Sequence, residues 1–331
     1  MRTRRFPFSV GTILVVLAIL VGFLYRQYIV DQINIWTYTP NSEVKSLAND
    51  NKLSNLGQRY LYASRAQIDD RSDFNKFCGL HEPTQTVLGC YVDTRIYVFD
   101  VTNKELDGVM QVTAAHEMLH AAYARLSDSE LTEVDGMLSS AEKTLTNDKA
   151  FAKRMAVYNQ LPRSQYLDEL HSVLGTEVKH LPSGLSNYYS RYFEDRAVVV
   201  SYYQQYAKVF ANLQTDAAQL IAQLDTLATN INSAVRSYNS TAAELSRDIA
   251  SFNTRAKQSG GFSTQQRFNS ERDSLVARSD ALDQQRIKIN SLISQYQSGL
   301  EKLNSMEAHL TTLNSSIDSD LTPIPEVKSG N

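Results

Sequence analysis

Cysteine is almost missing: the 331 residues hold two, Cys78 and Cys90. Two thiols cannot staple a disulfide-rich scaffold, so the fold has to rest on an apolar core. Positive charge is not in excess either, with 33 Lys and Arg against 36 Asp and Glu. A net charge of −3 gives no reason to expect a nucleic-acid partner. Charge is absent altogether from Phe6 to Tyr25, and proline from 183 to 322. The first gap leaves an uninterrupted apolar run, and the second leaves room for long helices.

The apolar run is long enough to cross a bilayer as a helix. Arg2, Arg4 and Arg5 precede it and Asp31 follows, a charge order that places the N-terminus in the cytoplasm and the remainder outside. No small-x-small cleavage site follows; the next residues are Leu24-Tyr25-Arg26-Gln27. The expectation is an uncleaved single-pass anchor in the cell membrane, with an extracytoplasmic body. Cys78 and Cys90 bracket a short segment with Gly79, Pro83 and Gly89, and outside the cytoplasm they are expected to form a disulfide.

What is there centres on Thr113-Ala114-Ala115-His116-Glu117-Met118-Leu119-His120-Ala121-Ala122. On a helix, residues four apart sit about 40° apart around the axis and one turn apart along it. His116 and His120 can therefore share one Zn²⁺. Glu117, next to the first imidazole, can serve as general base toward water on that metal. Every flanking residue is uncharged, which suits a buried helix whose polar groups have a metal to bind. The bland alternative is a helix with exposed or hydrogen-bonded histidines.

The stretch resembles the signature of zincin-type zinc metallopeptidases, which carry Thr or Val three positions before the first His and exclude charge around it. The resemblance is closest to the glutamate-liganded group. It implies a third ligand from a Glu on a downstream helix, and Asp168-Glu169 within Tyr166–Glu177 occupies that kind of place. Glu169 is thus the expected third ligand, with Glu177, His171 and His180 as rivals; His81 lies in the cysteine loop. The resemblance also implies one Zn²⁺ per chain, a protein or peptide substrate, and an edge strand beside the metal that pairs with extended substrate. Val87–Val92 and Arg95–Val101, rich in β-branched and aromatic residues around Asp93-Thr94, read as a hairpin leading into the motif helix.

Elsewhere the pattern is helical. Pro40-Asn41-Ser42-Glu43 starts a helix, Asp69–Asn75 is polar and reads as a loop, and Leu131–Tyr158 is helical with surface charge. Ser186–Tyr206 is dense in aromatics and reads as a helix packing its rings on the body; a Tyr or Arg there stabilising an oxyanion is the sharper alternative. From Phe210 to Phe252 and from Phe268 to Ile317 apolar residues recur every seven, interrupted by Ser259-Gly260-Gly261. The two series are symmetric about Gly260, pairing Phe252 with Phe268, Leu245 with Leu275 and Leu224 with Tyr296. That predicts an antiparallel coiled-coil hairpin able to hold a protein partner; a parallel dimer is the alternative.

The expected architecture is therefore mainly α with a small β element, a zincin-like α+β domain, plus the hairpin. Its parts are a tip and anchor at 1–27, the metallopeptidase-like domain at 28–206, the coiled coil at 207–318 and a tail at 319–331. The rival from another class is a non-enzymatic envelope scaffold with a structural or vestigial metal site. Glu117 favours the enzyme, because a structural site has no use for a base.

Overall fold

The computed structural model describes residues 25–78 and 87–319. Among the described residues the chain is mainly helical with one small sheet. Helix α1 (Arg26–Thr37) is followed by α2 (Ser42–Asp50) and α3 (Asn55–Ala63). The last two open on polar caps: Asn41 accepts from the Val44 amide and Ser54 from the Gly57 amide.

Strand β1 (Gln67–Asp69) and helix α4 (Arg71–Cys78) occupy the stretch whose polarity predicts a loop. It is helical because Asp70 caps it, accepting from the Asp73 amide at 3.0 Å, and because Phe74 and Cys78 bury on one face. Arg71, Ser72, Asp73 and Lys76 face outward.

Strands β2 (Gly89–Val92) and β3 (Arg95–Phe99) form the expected hairpin. Asp93 and Thr94 both have positive φ, 49° and 63°, as a two-residue turn matching the strand twist requires. β1 pairs in parallel with the other side of β3, giving the order β1-β3-β2 and leaving β2 at an edge. A Cys78–Cys90 disulfide, with Cα atoms 5.8 Å apart, ties the end of α4 to β2.

Helix α5 (Val109–Tyr123) lies against β2 and β3, and α6 (Asp128–Thr144), α7 (Lys149–Ala156), α8 (Arg163–Thr176) and α9 (Ser183–Tyr189) follow. The helical pattern of 131–158 is split because Asp148 turns its carboxylate onto the Ala150 and Phe151 amides and starts α7 afresh. Ala114, Ala115, Met118, Leu119, Ala121 and Ala122 of α5 are all buried. Each large apolar side chain among them contributes about 1.5–3 kcal/mol. Helices α5 and α8 approach closely because α8 carries Gly175; a Cβ there would lie 2.3 Å from Leu119 Cδ1.

α1 is fastened to the far end of α5. Asp31, 3% exposed, accepts from Arg125 Nε at 2.9 Å and Nη2 at 2.8 Å, while Arg125 Nη1 donates to the Ala121 carbonyl at 2.6 Å. The expected membrane topology is corrected on other grounds. Among the described residues no helix is long and apolar enough to cross a membrane, so the single-pass anchor and the cell-membrane, extracytoplasmic location drawn from it are not supported. The apolar run itself lies outside the described residues except for Tyr25. The boundary expected at 27/28 falls inside α1, a helix held to the body by a buried ion pair.

The chain divides into two compact units, Phe210–Thr312 and the remainder. The long helices α10 (Arg196–Ala256) and α11 (Gln265–Ser316) supply all of the former except the connection at 257–264. Within it, contacts between the helices run in inverse order. The Phe252 and Phe268 rings lie 5.1 Å apart, Arg278 donates to Asp248 at 2.7 Å, Arg255 pairs with Glu271, and Leu224 faces Gly299. Phe252 thus meets its expected partner. Leu224 is displaced by three residues from Tyr296, because Gly299 offers a gap that its methyl groups fill.

Candidate metal centre

Helix α5 places His116 and His120 one turn apart on the face toward α8, their rings 4.8 Å apart. Glu169, on α8, points back between them. His116 Nε2 lies 3.5 Å from Glu169 Oε2 and His120 Nε2 lies 3.7 Å from Glu169 Oε1. One donor atom from each of the three lies within 4.8 Å of the others. A tetrahedral zinc with bonds of about 2.0–2.2 Å holds its donors roughly 3.4 Å apart. The donor set, two imidazoles and a carboxylate, suits such an ion; the two His–Glu169 distances lie within a few tenths of an ångström of that spacing, while the widest donor pair, at up to 4.8 Å, would have to close by more than an ångström. Three such donors would leave the fourth position of a bound ion for water or substrate.

His120 is oriented from behind. Its Nδ1 lies 2.8 Å from Asp168 Oδ1, which fixes that nitrogen as the protonated one and turns Nε2 toward the cluster. The electrostatics agree with a cation site. Burial pushes the His120 imidazole down, but Asp168 and Glu169 outweigh it and hold it well above its usual value. Burial would raise the Glu169 carboxyl, but His120 and His116 overcome that and bring it to about 2. His116 is lowered, chiefly by burial. Without an ion, a proton on His120 is what balances the two carboxylates.

Glu117 is 5% exposed and turns toward the sheet. Gly89, at the start of β2, forms the wall behind it. A Cβ on Gly89 would lie 2.7 Å from Glu117 Oε1, 2.8 Å from its Cγ and 2.5 Å from Thr113 Cγ2.

The rival ligands go elsewhere. Glu177 accepts from Arg154 Nε at 3.0 and 3.2 Å. His171 is buried among Tyr123, Tyr188 and Tyr189, with Nε2 3.0 Å from the Tyr188 hydroxyl, and burial holds it neutral. His180 is exposed, and His81 lies outside the described residues. In the aromatic stretch, Tyr188, Tyr189, Tyr192 and Phe193 are buried in the core, which agrees with the packing reading.

Sequence reasoning names Asp168 only as the neighbour of Glu169 and misses its bond to His120. A carboxylate immediately before a candidate ligand is a usable signal, but only knowledge of how α5 and α8 cross tells that it meets His120. No known family model, curated protein or solved structure matches the chain.

Proposed function

We propose that the chain is a zinc-dependent metallopeptidase with a zincin-like domain, one Zn²⁺ per chain and protein or peptide substrates. The observation that carries this reading is the convergence of His116, His120 and Glu169 with Glu117 beside them. His116, His120 and Glu169 would hold the ion. When bound, zinc supplies Lewis acidity toward a carbonyl and acidifies water. Glu117 accepts the proton of the attacking water and passes it to the leaving amine. Asp168 keeps His120 in the ligating tautomer.

Edge strand β2 suits a peptide. The Phe99 amide donates to the Leu88 carbonyl, and bonded pairs alternate along an antiparallel ladder. The Gly89 and Tyr91 backbone groups therefore point away from β3, where an extended peptide can add as a strand next to Glu117. For Phe210–Thr312 the reading is an antiparallel coiled-coil hairpin that presents a partner-binding arm. The inverse order of contacts and the ion pairs Asp248–Arg278 and Arg255–Glu271 support it.

The test is made on the full chain. Wild type loaded with Zn²⁺ should cleave members of a mixed peptide library read by mass spectrometry. Glu117→Gln should keep about one zinc per chain and lose cleavage, and His116→Ala with His120→Ala should lose the zinc. Equal cleavage by wild type and Glu117→Gln would remove Glu117 as base. Zinc retained at full stoichiometry by the double histidine variant would remove the site.

A further inference from the structure

A cavity of about 260 Å³ opens between α7, the end of α8 and the start of α10. Leu145, Phe151 and Val173 give it apolar wall, and Arg154, Glu177 and Lys179 give it polar wall. Val173 and Glu177 follow Glu169 by one and two turns of α8, so the cavity begins about 6–12 Å along that helix from the expected ligand. An extended peptide covers that distance in about two to four residues.

The acids and bases that line it are not equally engaged. Asp148 Oδ1 is spent on the Ala150 and Phe151 amides at 2.9 and 3.0 Å. Both Glu177 oxygens accept from Arg154 Nε. Arg154 in turn gives Nη1 to the Tyr158 hydroxyl at 2.9 Å. Its Nη2 makes no bond to any other described residue, and the side chain is 33% exposed. Lys179 forms no ion pair among the described residues. The cavity thus has a mixed wall: Asp148, His180, Tyr203 and Gln204 also line it, and its cationic donors are Arg154 Nη2 and Lys179. A guanidinium fixed at two of its nitrogens and open at the third is a preorganised receptor for a carboxylate, because the fork is already oriented.

We propose that this cavity is a carboxylate subsite for the peptide substrate, with Arg154 Nη2 and Lys179 as the donors. It accepts a carboxylate two to four residues from the cleaved bond, supplied by the substrate's C-terminus or by an acidic side chain. The assignment of a peptide as occupant rests on the metallopeptidase reading; the preference for a carboxylate rests on the cavity alone.

The test is calorimetric binding to full-length Glu117→Gln protein loaded with zinc, which binds without turnover. Three probes suffice: acetyl-pentaalanine with a free C-terminus, the same peptide as its amide, and an amidated peptide with Glu at the central position. At least one acidic probe should bind about tenfold or more tighter than the neutral amide, the size of a charge-assisted hydrogen bond. Preference for the free C-terminus identifies that source, and preference for the Glu peptide identifies the side chain. Arg154→Gln should erase the preference. Should Arg154→Gln fail to fold because Glu177 is left buried and unpaired, Arg154→Gln with Glu177→Gln removes the pair as a unit and should erase it as well. Equal binding of all three probes, no detectable binding of any, or a preference that survives loss of Arg154 overturns the subsite. Repeating the titration in the His116→Ala, His120→Ala chain separates the two ideas. An Arg154-dependent preference that persists there upholds the cavity whatever the fate of the peptidase reading.

Discussion

Gly89→Ala is the sharpest probe of how the base is held. The new methyl would arrive 2.5 Å from Thr113 Cγ2, 2.7 Å from Glu117 Oε1 and 2.8 Å from Glu117 Cγ. Ordinary contacts begin near 3.4 Å, so something must yield by roughly 0.6–0.9 Å. The oxygen could swing aside by rotation farther along the chain, but Cγ moves only by rotation about the Cα–Cβ bond, as does the Thr113 methyl. The Gly89 backbone is held too, between the disulfide at Cys90 and its pairing with Val98. Glu117 must therefore change rotamer. A displacement approaching 1 Å at a catalytic group costs on the order of 100-fold in rate. The same crowding costs about 1–3 kcal/mol of stability, offset by up to about 1 kcal/mol from stiffening the unfolded chain. The measurements are kcat on a cleaved library peptide, zinc per chain and Tm by circular dichroism. Zinc content should stay at wild type, since none of the three expected ligands touches Gly89. Gly136→Ala is the control: it lies mid-helix in α6 with nothing within 4 Å of a new Cβ, and should gain up to about 1 kcal/mol. If Gly89→Ala matches Gly136→Ala in both Tm and kcat, the wall behind Glu117 is not as described.

Asp168→Asn keeps a carbonyl for His120 Nδ1 but removes the charge, and zinc affinity should fall about 10–100-fold in competition with a chelator while helicity is unchanged. Leu245→Cys with Leu275→Cys should join within one chain under a short bifunctional thiol reagent. Joining only between chains would replace the hairpin by a parallel dimer. Ser127 and Glu130 form a capping box at the start of α6, and Ser127→Ala should lower stability by about 1 kcal/mol at neutral pH. The Ser127 amide and hydroxyl hold the Glu130 carboxyl below its ordinary value of 4.5. This contribution is present above that value and lost as pH falls through the lower, folded-state one. The Tm gap between Ser127→Ala and wild type should therefore narrow between pH 7 and pH 3; a constant gap would assign the whole effect to the hydroxyl's bond to the backbone.

The parts of the molecule that announced themselves in sequence are those governed by neighbours in the chain. The motif helix reads from the spacing of His116 and His120 and its uncharged flanks, and the hairpin from Asp93-Thr94 between two β-rich runs. The heptads give Phe252 against Phe268 without further information. What escaped depends on contacts between distant segments. α4 looked like a loop because only Phe74 and Cys78 mark its buried face. Glu177 stays a rival to the preferred Glu169 in sequence, and its pairing with Arg154 is what sets it aside. Asp168 acquires a role only once α5 and α8 lie side by side. The anchor expectation rested on hydropathy and charge order, and among the described residues no helix is long and apolar enough to cross a membrane; Arg26–Thr37 belongs to the body because Asp31 finds Arg125, 94 residues away.

That last pair decides where the chain can be shortened. The Arg125 side chain is only 3% exposed, and it is stacked over the Tyr60 ring with its donors aimed at Asp31. A chain begun anywhere past residue 31 would keep the guanidinium in place and delete its only carboxylate partner among the described residues, a loss of about 3–5 kcal/mol. The damage would surface at Ala121, one residue beyond His120, because the same guanidinium ties off that carbonyl. Anyone trimming the protein for expression should retain α1 in full or exchange Arg125 for an apolar residue at the same time. Otherwise a failure to bind zinc would record a frayed helix end and reveal nothing of the ligands.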